Sequence, residues 1–128
     1  FLLSSWLLAA PITAALRLAG FRRMTAALRL LPRSSSPSQR IDAGRGDLLV
    51  RRAFRWSLAR WSARDSDGCL PRSMVQYSVH ALRGDAVRLR IGIAPEHRDG
   101  FEAHAWVEDR DAPRSDIDHA AIFELEPR

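Results

Sequence analysis

Apolar residues change their spacing along this chain, and each change of spacing predicts an element. Residues 1–20 are almost continuously apolar, with Arg17 as the one charge. Pro11 interrupts the run, which predicts two short apolar helices before and after it, the second closed by Gly20 as a C-cap. In residues 21–31, Phe21, Met24, Leu28 and Leu31 share one helical face while Arg22, Arg23 and Arg29 lie off it, the pattern of a basic amphipathic helix. Residues 32–46 lose all periodicity, and Ser34-Ser-Ser-Pro-Ser38 reads as linker. A helix follows, N-capped by Asp47, with Val50, Phe54, Leu58 and Trp61 on one face and Arg51, Arg52 and Arg55 outside. Ser62-Ala-Arg-Asp-Ser-Asp-Gly68 is a polar turn.

The next helix opens on Cys69, carries Pro71 in its first turn, and stops at Gly84, a natural left-handed residue. Leu70, Met74, Tyr77 and Ala81 form its buried stripe, and Arg72, Gln76 and Arg83 point away. Strict alternation then takes over. Val87, Leu89, Ile91 and Ile93 alternate with Arg88, Arg90 and Gly92, as in a half-buried strand. After a loop at 95–100, residues 101–108 predict a second strand, with Ala103, Ala105 and Val107 on one face and His104 and Trp106 on the other. Residues 121–125 predict a third. Helices followed by an antiparallel meander define an α+β fold. The domain organisation expected is N-terminal helices over 1–31, a linker over 32–46 and the main domain over 47–128, with no internal repeat.

Composition narrows the functional classes. The chain has 128 residues, one domain's worth, and opens on Phe1 rather than Met, as a fragment of a longer chain would. A single Cys excludes an internal disulfide and fits a reducing, cytoplasmic compartment. All twenty basic residues are Arg, so the net charge of +5 reflects GC-rich coding and solvated faces more than a nucleic-acid reader, and no such motif is present. The apolar N-terminus raises a membrane span. Pro11 and the polar Ser4, Ser5 and Thr13 argue for packing against the domain or a partner, with peripheral membrane contact left open, and no basic region of a secretory signal precedes the run.

A lone Cys with a His elsewhere is a candidate nucleophile–base pair, although a lone Cys is commonly just a small buried hydrophobe. Cys69 opens a helix, where free N–H groups favour an anion, and thiolate is the nucleophilic form. His104 on a neighbouring strand would serve as base, with a carboxylate from Asp109, Asp111, Asp116 or Asp118 to orient it. Trp106, on the same face as His104, is expected to wall the site. His80, His97 and His119 read as surface or loop residues, and Arg72 and Ser73 as helix-start chemistry. The Cys69 N–H is the expected oxyanion donor. No Walker A sequence, dinucleotide loop or zinc-ligand spacing occurs, so neither cofactor nor metal is expected.

Cys69-Leu-Pro-Arg-Ser73, Val87-Arg-Leu-Arg-Ile-Gly-Ile93 and Ala103-His-Ala-Trp-Val-Glu108, in this order and spacing, resemble the transglutaminase-like leader peptidases of lasso-peptide biosynthesis. The likeness is close from about residue 47 onward. It implies a transglutaminase-like, papain-like core with the Cys-bearing helix on a small antiparallel sheet, and a Cys69–His104–Asp116 triad that cleaves the leader from a ribosomally made precursor. The acid in such proteins lies on the strand after the histidine, and Asp116 stands at that spacing. Ser115 replaces the family's Asn, and Arg110-Asp111-Ala112-Pro113 its Gly turn, so a two-residue slip would promote Asp118. The resemblance also implies a separate leader-recognition protein and a macrolactam synthetase acting next. The N-terminal helices, whose apolar stripes hold no nucleophile–base pair and which the Ser-rich linker separates from Cys69, are expected to serve docking and solubility. Two other readings share the fold: a non-catalytic scaffold, and a transglutaminase-type acyl transfer to an amine.

Overall fold

In the computed structural model of the chain, residues 1–32, 41–56, 69–93, 103–112 and 120–126 are described. Three helices precede three strands among them: α1 (Leu2–Leu28), α2 (Ala43–Arg55), α3 (Cys69–Arg83), β1 (Val87–Ile93), β2 (Ala103–Asp109) and β3 (Ala120–Leu125). The fold is α+β, as expected. β1 has the bounds read from its alternation. The third strand starts one residue early, at Ala120.

α1 corrects the expectation of a break at Pro11. The helix runs through that proline and is broken only at Gly20, whose φ of 78° and ψ of 167° suit a residue without Cβ. Pro11 deprives the Leu7 carbonyl of its N–H partner, but both residues are exposed, so water can satisfy it. Beyond Gly20 the chain buries Met24 and Leu28 and exposes Arg22, Arg23 and Arg29, the amphipathic pattern expected there.

α2 begins a turn earlier than its apolar stripe suggests. Asp42, not Asp47, is the N-cap: its carboxylate accepts the Arg45 N–H at 2.8 Å. Asp47 lies inside the helix and pairs with Arg51 at 2.7 Å. Two tertiary bonds hold the new start. The Ala43 N–H donates to Asp109 Oδ2 at 3.1 Å, and the Ala43 carbonyl accepts from Gln76 Nε2 at 2.6 Å. These outweigh the poor helix propensity of Gly44 and Gly46. Val50 and Phe54 are buried as expected. The Leu58 and Trp61 continuation of the stripe lies outside the described residues.

α3 is the central helix. Met74, Tyr77 and Ala81 are buried, but so is every residue from Ser73 to Ala81. Gln76, expected to point away, is 2% exposed because its amide is spent on Ala43. The helix ends in a Schellman motif: Gly84 (φ 79°) donates to the Ala81 carbonyl and Asp85 to the His80 carbonyl, each at 3.0 Å.

The sheet is antiparallel but is not a meander. Its order is β2-β1-β3, with β1 paired to both neighbours. Charge explains the order. Arg90 meets Glu108 of β2 at 3.2 Å and Glu124 of β3 at 2.9 Å, and Arg88 meets Glu124 at 3.4 Å. A meander would set the carboxylates of β2 and β3 side by side, whereas a central β1 places its arginines between them. The opposite face buries Val87, Leu89, Val107 and Leu125 against Met74 and Tyr77 of α3.

Candidate active site

Cys69 is the first residue of α3 and is 7% exposed. One turn on, the Ser73 hydroxyl donates to the Ala105 carbonyl of β2 at 2.8 Å. Ser73 is therefore more than helix-start chemistry, since it joins the Cys-bearing turn to the residue next to His104. β2 lies at the edge of the sheet among the described strands, so this bond also occupies a carbonyl of an edge strand.

Cys69 and His104 line one cleft. Its walls are Asp47 and Arg51 of α2, Arg72, Ser73 and Gln76 of α3, and the stretch from His104 to Val107 of β2. The space enclosed is about 30 Å³. His104 is half-buried, and its ring stacks on Trp106 with centroids 6.1 Å apart and planes 16° from parallel. The indole N–H of Trp106 donates to Glu108 at 3.3 Å, and Glu108 is held in turn by Arg90. The imidazole thus rests on a plate whose own rotamer is pinned by a buried carboxylate. Trp106 does line the cleft, as its place beside His104 suggested.

The carboxylate candidates separate. Asp109 is committed to capping the start of α2 through Ala43, and Asp111 is exposed. Asp116 and Asp118 lie outside the described residues. Asp47 is the described carboxylate that lines the cleft, a place that its expected role as a helix cap does not suggest. Its i, i+4 spacing with Arg51 shows that the two share a helical face, but only the docking of α2 against α3 and β2 shows what that face meets.

His80 corrects the reading of a surface histidine. It is fully buried, three turns beyond Cys69 on α3, with Nδ1 at 2.9 Å from Asp85 Oδ2. A carboxylate only accepts, so Nδ1 carries the proton. Nε2 is buried without a hydrogen-bond partner among the described residues and lies directly against Gly46 of α2. Burial holds the imidazole below its ordinary pKa of 6.5, and this outweighs the opposing pull of Asp85. His97 and His119 lie outside the described residues.

A central helix opening on a buried cysteine, docked on a sheet whose edge strand offers a histidine to the same cleft, is the framework of cysteine-dependent acyl chemistry. The chain matches the family model of the transglutaminase-like superfamily over residues 6–123, from α1 to β3, and belongs to that superfamily. The superfamily includes cysteine proteases and acyltransferases. Comparison with curated proteins and with solved structures gave no match.

Proposed function

We propose that this protein is a cysteine peptidase that removes the leader from a ribosomally made lasso-peptide precursor, with Cys69 as nucleophile, His104 as general base and acid, and Asp116 as the group that orients His104. The observation that carries the reading is the shared cleft of Cys69 and His104. The substrate class comes from the resemblance of the segments around them to the lasso leader peptidases.

The thiolate of Cys69 adds to the scissile carbonyl carbon, forming a C–S bond. His104, protonated by the thiol, passes that proton to the leaving amine as the C–N bond breaks. Water, deprotonated by His104, then attacks the thioester and releases the new carboxylate and the free thiol. Ser73 ties the turn that opens on Cys69 to the residue after His104, and Trp106 limits the tilt of the imidazole. A separate recognition protein would present the leader, and a macrolactam synthetase would take the freed core peptide.

The test is precursor plus recognition protein followed by mass spectrometry. Cys69→Ala should abolish cleavage with an unchanged circular dichroism spectrum. Asp116→Asn should slow cleavage by orders of magnitude, and far more than Asp118→Asn. A folded Cys69→Ala protein that cuts at the normal rate removes the mechanism. Cleavage impaired more by Asp118→Asn moves the orienting role to that residue.

A further inference from the structure

The wall that α2 gives to the cleft carries a guanidinium with donors to spare. Arg51 and Asp47, one turn apart on α2, both line the space that Cys69 and His104 share. The Arg51 Nε–H donates to Asp47 Oδ2 at 2.7 Å. Among the described residues Arg51 makes no other hydrogen bond, so the N–H groups of its terminal nitrogens have no partner there. Its side chain is exposed, so a ligand can reach it. An exposed i, i+4 ion pair contributes little to stability. Its effect here is orientation: Asp47 holds Nε, and with it the plane of the guanidinium, and leaves open the end-on fork that matches a carboxylate.

We propose, resting on the reading of Cys69 as a peptidase nucleophile, that Arg51 is a specificity-determining residue of this cleft and takes the carboxylate of an acidic substrate side chain close to the bond that Cys69 attacks. Charge argues for a carboxylate over a neutral or cationic group. Besides Cys69 and His104, the ionisable side chains that line the cleft are Arg51, Arg72 and Asp47, two guanidiniums to one carboxylate. α3 also opens there, with the partial positive charge of a helix N-terminus. Arg72 has a partner of its own, whereas the terminal N–H groups of Arg51 have none among the described residues. Because Asp47 already fixes Nε, Arg51 gives up little side-chain freedom when it binds. Leader removal cuts within a chain, so the carboxylate beside the bond belongs to an Asp or Glu side chain and not to a chain end.

Cys69 is the one cysteine of the chain, so thiol alkylation reports on this cleft and needs no peptide cleavage. The full chain would be alkylated with iodoacetate and with iodoacetamide, which are similar in size and differ in charge, and the rates followed by intact mass. The ratio of the two rates on the chain unfolded in urea gives the intrinsic difference between the reagents. The folded parent should favour iodoacetate about tenfold more than the unfolded chain does, the effect of one charge-assisted hydrogen bond. Arg51→Gln should bring the ratio back to the unfolded value with unchanged circular dichroism. Arg52→Gln removes the same charge at the next residue, outside the cleft, and should keep the parent's ratio. A parent ratio equal to that of the unfolded chain, or an equal loss in both variants, overturns the proposal, the second in favour of a general positive field. In the precursor assay, changing acidic residues near the cut to their amides should raise KM about tenfold for the parent and little for Arg51→Gln. Equal effects on both enzymes, or no acidic residue near the cut, overturn the assignment to an acidic side chain. An uncut precursor with the alkylation preference intact sinks the peptidase reading and leaves the carboxylate site, whereas cleavage without the preference sinks the site alone.

Discussion

The Ser73 hydroxyl donates to the Ala105 carbonyl at 2.8 Å, tying the residue four places after Cys69 to the residue one place after His104. Both partners are buried, so nothing else competes for the bond. Removing the hydroxyl in Ser73→Ala leaves a carbonyl of β2 without this donor, at a cost of about 1–3 kcal/mol. It also frees the first turn of α3 to shift against β2. The expected outcome is a lower melting temperature together with a fall of about tenfold or more in kcat, with KM little changed, since misplacing reacting groups acts on the chemical step. Stability lost with kcat intact would make the bond purely structural.

Gly46 of α2 lies directly against His80 of α3. A Cβ there would run into His80 Nε2, with Gln76 Nε2 at 3.1 Å and His80 Cε1 at 3.2 Å. His80 cannot give way, because Asp85 holds its other nitrogen and the ring is fully buried. Gly46→Ala gains about 1 kcal/mol of helix propensity, but the overpacking costs roughly 1–3 kcal/mol. Chemical denaturation should therefore show a net loss. A gain in stability would mean that α2 can slide away from His80 at little cost.

The neutral state of His80 gives a pH dependence of known sign. Its folded pKa is depressed by burial, so below about 6.5 the unfolded chain takes up a proton that the folded chain refuses. The stability is complete above that value. It is lost as pH falls from there to the lower folded-state pKa, at no more than about 1.4 kcal/mol per pH unit for one group. Urea midpoints measured between neutral and mildly acidic pH should fall faster for the parent than for His80→Gln, where the titration is absent. Ring nitrogen shifts of the folded protein should report a neutral, Nδ1-protonated imidazole at neutral pH. A ring that takes up its proton at or above the ordinary pKa of 6.5 would contradict the assignment.

Much of the local structure was legible in the residue pattern. The alternation from Val87 to Ile93 determined a strand, Gly84 a helix stop, and the Met74, Tyr77 and Ala81 spacing a buried helical stripe. Cys69 at a helix start and His104 on a strand were also readable, because period and capping chemistry act over a few neighbours. Tertiary structure decided what those neighbours cannot. Pro11 stays within a helix because its orphaned carbonyl faces solvent. α2 starts at Ala43 because Asp109 and Gln76, distant in sequence, supply partners. β1 sits between β2 and β3 because Arg88 and Arg90 separate carboxylates that a meander would juxtapose. The cleft is of the same kind. Asp47, Arg51, Cys69 and His104 come from α2, α3 and β2, and periodicity within an element shows which residues share its face but not which faces meet. That meeting is set by long-range packing, in which Ser73 on Ala105 and His80 against Gly46 fix how α3 seats on β2 and α2.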